Sequence, residues 1–211
     1  VPFPTRRAVL VLLAGVIACG PAAGAADLAV SLDAGWYDMT SAHRSAEAVF
    51  GSRGGPTVGG TVRLGLGRSW FAGAGARYFQ RDGERVFTRG EGAPVFRLGH
   101  PLTVRLIPVY ALAGYRFRSD ARLVPYVSGG VGVAILREED TVAEVSEVTA
   151  STRASGHLAT GLEYGRGAVR LGAELMFTSV PGSAGIGGVS AAYRETDVGG
   201  FTLVGRIAFS P

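Results

Sequence analysis

Lysine and asparagine are absent from this chain of 211 residues, cysteine occurs once and histidine three times. With Cys19 as the single thiol, neither an internal disulfide nor a thiolate metal cage can form. His43, His100 and His157 are the only side chains with an ordinary pKa suited to general-base work near neutral pH, which leaves little room for acid–base chemistry. All 21 basic residues are arginine, a bias that fits a GC-rich genome better than a chemical demand. They are scattered rather than clustered, which argues against a nucleic-acid partner despite the formal charge of +4. Long apolar runs are missing as well. The one sustained stretch, 8–18, is too short for a membrane-spanning helix.

Glycine is abundant instead, with 33 residues, and short apolar runs alternate with small or polar residues at a period of two. Within 168–177, Val169, Leu171, Ala173, Leu175 and Phe177 project one way, while Arg170, Gly172, Glu174 and Met176 project the other. A soluble sandwich would turn its apolar face inward. Here the pattern recurs in many long strands with no helix to cover them, and it follows an export signal, so the economical reading is an all-β, eight-stranded antiparallel transmembrane barrel with its charges inside. The strands are predicted at 28–38, 57–67, 70–81, 103–117, 123–137, 156–165, 168–179 and 197–209. Short turns at 67–69, 118–122 and 165–167 alternate with long polar links at 39–56, 82–102, 138–155 and 180–196. That asymmetry belongs to a barrel with periplasmic turns and extracellular loops, and the loops are where an outside ligand would be met.

Residues 1–26 read as a signal peptide, and 27–211 as the barrel domain. Arg6 and Arg7 form a basic n-region, and Ala23-Gly24-Ala25-Ala26 a cleavage region. Val16-Ile17-Ala18-Cys19 also has the form of a lipobox, in which Cys19 would be lipidated. An ordinary cleavage site just before the first strand favours removal of Cys19 with the leader. Without Arg6 and Arg7 the formal charge drops by two from +4, close to neutrality.

Aromatic residues cluster at predicted strand ends. Trp70, Tyr115, Phe117, Tyr126, Tyr164 and Phe209 are assigned to a periplasmic girdle at the headgroup level, and Trp36, Tyr78 and Phe177 to an outer one. Glycines within the strands, among them Gly59, Gly73, Gly75, Gly161 and Gly172, would relieve crowding in a narrow barrel.

The segments 108–117 (PVYALAGYRF), 124–132 (VPYVSGGVG) and 161–164 (GLEY) resemble the small outer-membrane β-barrel proteins of the OmpA/OmpX-like group. The resemblance covers 27–211. It implies an outer-membrane protein of a Gram-negative-type envelope, surrounded by outer-membrane lipid and delivered by periplasmic chaperones and the barrel-assembly machinery. It leaves activity open, because such barrels serve as anchors, adhesins, narrow pores or lipid-modifying enzymes. One departure is that Ser210-Pro211 follow Phe209, where such barrels usually finish on an aromatic residue.

On this register Asp33, Arg63, Arg77, Glu163, Arg170, Glu174 and Arg206 point inward and are expected to form a salt-bridge network filling the lumen. Replacing Arg170 by leucine is expected to unbalance a buried acid, Glu174 or Glu163. Two sets are candidates for catalysis. His157, Thr160 and Glu163 share one strand, but Thr160 faces away from the other two, and His43-Arg44-Ser45, similar in spacing to barrel lipid A deacylases, falls in a loop. Neither supplies nucleophile, base and orienter together. Glu138, Glu139, Asp140, Glu144 and Glu147 form an acidic run that reads as a solvated loop rather than a cation site. The glycines at 185–188 lack the strand-to-helix setting of a phosphate loop. No cofactor is implied. The expected role is non-catalytic, structural or loop-mediated, with a narrow channel or a lipid-modifying enzyme as alternatives.

Overall fold

The computed structural model describes residues 27–117, 120–142, 145–165, 167–182 and 188–210. The predicted leader with Cys19, the turn residues Arg118, Ser119 and Arg166, Glu144 and the glycines at 185 and 187 lie outside these. Eight strands form one closed antiparallel ring: β1 (Leu28–Asp38), β2 (Gly54–Leu66), β3 (Trp70–Phe87), β4 (Phe96–Arg116), β5 (Leu123–Val142), β6 (Val145–Tyr164), β7 (Val169–Ser179) and β8 (Gly200–Phe209). Closure comes from β1 pairing with β8, Asp33 opposite Arg206. A short 3-10 turn (Thr40–Ala42), helix α1 (His43–Phe50) and helix α2 (Val189–Ala192) lie in the first and last of the long links.

The predicted register holds. Side chains at odd numbers in β1, β2, β3 and β6 and at even numbers in β4, β5, β7 and β8 turn inward, so Glu174 is 3% exposed while Leu171 is 55% exposed. Leu32, Val58, Val131, Leu158, Leu171 and Leu203 belong to a continuous outward band of exposed apolar side chains. In water such a band would be an unusually large apolar patch; around a closed barrel it matches the hydrocarbon of a bilayer. Both barrel ends of the chain share a rim with the short turns, one of which passes through Gly67 at φ +75°, a left-handed conformation that favours glycine.

Two of the expected long links are largely strand. β3 and β4 continue to a tip at 88–95, and β5 and β6 reach Val142 and Val145, so 82–102 and 138–155 form tall hairpins. The strict alternation of the lower strands is lost here, where apolar residues such as Val86, Phe87, Leu98 and Leu102 are interspersed with charges. Backbone pairing continues, with Asp82 opposite Thr103 and Asp140 opposite Glu147, and the Thr103 hydroxyl donates to Asp82 Oδ1 at 2.7 Å. Glu138, Glu139, Asp140 and Glu147 are therefore strand residues, not a loop run.

At the short-turn rim Trp70, Tyr115 and Phe117 stack edge to face at 5.1 Å on the outside, with Tyr164 and Phe209 also outward. Tyr126 is the exception. It lies on the inward face of β5 with Val124 and Ser128 and is 1% exposed. The assignment of Tyr126 to the girdle thus fails by parity, since even-numbered residues of β5 face the lumen.

Candidate functional site

The lower lumen, toward the short-turn rim, holds a compact ionic cluster. Arg63, Arg77 and Arg206 meet Asp33, Glu163 and Glu174, three charges of each sign, all buried. Arg206 forks onto Asp33 (Nε to Oδ1 2.7 Å, Nη2 to Oδ2 3.0 Å) and reaches Glu174 at 2.8 Å. Arg77 donates to Glu174 Oε1 (2.5 Å) and lies 3.4 Å from Asp33, while Arg63 pairs with Glu163 at 2.5 Å and with Glu174 at 3.4 Å. Glu174 is the hub. Bidentate, charge-assisted contacts of this kind offset the cost of removing six charges from water.

Local sequence explains how long side chains fit across so narrow a bore. Gly59 stands directly opposite Arg77 on the neighbouring strand, and a Cβ there would fall 2.6 Å from the arginine Cγ. Gly161 stands opposite Tyr126, whose ring a Cβ would meet at 2.5 Å. Glycine beside each large inward group lets that group lie across the sheet.

Tyr126 is the member that sequence reasoning missed. Its hydroxyl donates to Glu174 Oε2 at 2.6 Å and accepts from Arg206 (2.7 Å) and Arg63 (3.2 Å), and the Arg63 guanidinium lies 4.6 Å above its ring. The parity of Tyr126 with Val124 and Ser128 was the available signal. Tyr126→Phe is expected to lower stability by about 1–3 kcal/mol, because it strips one donor and one acceptor from buried ionic partners. Urea unfolding in phospholipid vesicles reads this; an unchanged midpoint would mean that water replaces the hydroxyl.

Arg170 belongs to the periphery. It is 24% exposed and only 3.9 Å from Glu163, which Arg63 already holds at 2.5 Å. Glu163 is thus the buried acid that Arg170 faces, and because Arg63 holds it more closely, the imbalance on losing Arg170 is expected to be small.

Above the ionic cluster, His157 packs against Tyr110 (ring centroids 4.6 Å) and its two ring nitrogens meet Ser155 Oγ (2.9 Å) and Thr178 Oγ1 (3.1 Å). Thr160 faces outward and bonds the Tyr126 carbonyl, so among the described residues no nucleophile–base–carboxylate chain forms around this histidine. A cavity of about 10 Å³ beside it, bordered by Met176 and Glu174, has room for about one water.

The upper lumen is apolar. Tyr37, Phe79, Val104, Leu106, Ala134 and Leu136 from the strands pack with Met39, Ala42 and Ala46 and with Val180 and Val198. Helix α1 and the turn before it supply the plug, because Ala46 and Val49 follow Ala42 of the turn at helical spacing and all three are buried. Glu195 caps it from the last link, accepting from the N–H groups of Arg44 (2.9 Å) and Ser45 (3.1 Å) and from the Ser45 hydroxyl. Gly51, at φ +72°, ends it and donates to the Glu47 carbonyl. His43 and Ser45 thus stand on a helix terminus where the serine hydroxyl bonds the capping glutamate, not the histidine.

Between α1, α2 and the tall hairpins lies a cavity of about 310 Å³. Met39, Ala46, Val49, Val104 and Leu136 form its apolar wall, and Arg85, Glu138, Asp140 and Glu147 its charged side. Among the described residues, no three His, Cys, Asp or Glu side chains are grouped to hold a metal ion.

In fold the chain is similar to a major outer membrane protein from Thermus thermophilus, with TM-score 0.55 and 11% identity over 89% of this chain and 100% of that one. It is also similar to Neisserial surface protein A, with TM-score 0.52 and 13% identity over 88% of this chain and 96% of that one. The chain has the fold of the small outer-membrane β-barrels. At such identities the likeness is one of architecture, and no known protein family and no curated protein matches the sequence.

Proposed function

We propose that this protein is a non-catalytic, non-conducting barrel of the outer membrane of a Gram-negative-type envelope, anchored in lipid and presenting its long-loop end to an extracellular partner. The observation that carries this reading is the filled lumen. The ionic cluster, the Tyr110–His157 layer and the apolar plug under α1 succeed one another along the lumen, with a cavity of about 10 Å³ beside His157. The apolar outer band and the fold support the location, and the tall hairpins with their cavity support a loop-mediated role. Delivery to that membrane would rely on periplasmic chaperones and the barrel-assembly machinery.

Purified protein in planar bilayers is expected to give no stable single-channel currents. Persistent currents that disappear on replacing Arg77 or Glu174 would establish the channel alternative. Unchanged lipid A and phospholipid profiles on overexpression are the counterpart expectation for the lipid-modifying alternative.

A further inference from the structure

We infer that Arg105 and Arg137, side by side on the outer wall of the barrel, form a binding site for the headgroup phosphate of an outer-leaflet lipid; this rests on the outer-membrane reading above and names one of its lipid partners. The site follows from the register. Arg105 on β4 stands directly opposite Arg137 on β5, and both occupy odd positions of strands whose odd side chains turn outward. Ile107 and Ile135 form the pair one step lower on the same face, with Val109 and Val133 below them, all within the apolar band. The two guanidinium groups therefore emerge one pleat, about 7 Å along the strands, beyond the side chains that face hydrocarbon, where lipid headgroups begin.

The two arginines differ in their contacts. Arg105 donates to Gln80 Oε1 and to Glu139 Oε2, each at 3.0 Å, so its guanidinium is held in place with donors to spare. Gln80 is itself fixed by the Tyr78 hydroxyl. Arg137 is exposed, and among the described residues it has neither an ion pair nor a hydrogen bond. The outward acids nearby are already engaged, Glu139 by Arg105 and Asp82 by the Thr103 hydroxyl. Like charges directly opposite each other on paired strands destabilise a sheet, a cost that an anion between them removes. Two oxygens of a phosphate match the guanidinium fork. A lipid phosphate gains a second hold, because its acyl chains lie on the wall over Ile135 and Val133, whereas free phosphate would have only exposed ion pairs, which contribute little in water. At the same end of the opposite wall β1, β7 and β8 present Trp36, Phe177 and Phe201 instead, so the site marks one side of the barrel.

The test titrates the full barrel in a zwitterionic detergent with diphosphoryl lipid A and with the same lipid stripped of its phosphates, and counts bound lipid by native mass spectrometry. The parent protein is expected to bind the phosphorylated form about tenfold or more tighter. Arg105→Gln with Arg137→Gln should abolish that preference. Arg68→Gln, at an exposed arginine of the short-turn rim, should leave it unchanged. Inorganic phosphate in about hundredfold excess should not displace the lipid. Equal binding of the two lipids by the parent, a preference that survives in the double variant, or one lost equally in Arg68→Gln would each overturn the proposal. Displacement by inorganic phosphate would overturn the lipid assignment in favour of a free-phosphate site. The parent comparison needs no variant, and the mobility shift between unboiled and boiled samples shows that each variant is folded. Silent bilayers together with no lipid preference would remove this site and leave the non-conducting anchor standing, whereas soluble protein in the periplasm would remove the outer-membrane reading itself.

Discussion

Glu174→Leu should destabilise the folded barrel by about 3–5 kcal/mol, the usual cost of removing one partner from a buried ion pair. Glu174 receives Arg77 at 2.5 Å, Arg206 at 2.8 Å and the Tyr126 hydroxyl at 2.6 Å, with Arg63 at 3.4 Å. Leucine would leave three buried guanidinium groups facing two buried carboxylates. Adding Arg77→Met to Glu174→Leu should recover part of the loss, because it restores equal numbers of each sign and replaces a stranded charge by an apolar chain. Equilibrium urea unfolding in phospholipid vesicles measures both variants. A loss below about 1 kcal/mol for Glu174→Leu would show that the lumen is wet enough to screen these charges.

Leu171→Arg should cost on the order of 2–4 kcal/mol, the penalty for arginine on the lipid face near the midplane of such a barrel. Its neighbour makes the contrast. Arg170 points inward at the rim, partly exposed and 3.9 Å from an acid that already has a closer partner, so Arg170→Leu should cost less than about 1 kcal/mol. Adjacent positions one residue apart thus separate the two faces of β7. Folding yield in vesicles and the mobility shift between unboiled and boiled samples read the outcome. If Leu171→Arg folds like the parent, and Leu171→Cys reacts freely with a water-soluble thiol reagent, the outward face is not in lipid.

The inward positions are legible in the sequence because a strand in a bilayer must alternate: one face meets hydrocarbon and the other a cramped interior, so a period of two is imposed on every spanning segment. Asp33, Arg63, Arg77, Glu163, Glu174 and Arg206 can all be placed from that period alone. The same signal is silent above the membrane. There apolar residues such as Val86, Phe87 and Leu102 are interspersed with charges without a strict period, the strands continue by backbone pairing, and strands up to Val142 and Val145 resemble loops. Tyr126 reads as a girdle residue by its closeness to a strand end, although its parity points inward.

What alternation determined is the ring of strands, its two faces and the inventory of charges inside. Tertiary structure decided which charges share a proton-donating or accepting partner, because Glu174 on β7 meets Arg63, Arg77 and Tyr126 only once closure brings β2, β3 and β5 across the bore. It also decided that α1 enters the mouth. The spacing of Ala42, Ala46 and Val49 marks an amphipathic helix, but its apolar side needs the wall formed by Phe79, Val104 and Leu136, which lie far along the chain. Local periodicity reports the environment on each side of a segment; the partner within that environment is chosen by the closed geometry that fixes how far, and toward what, each side chain reaches.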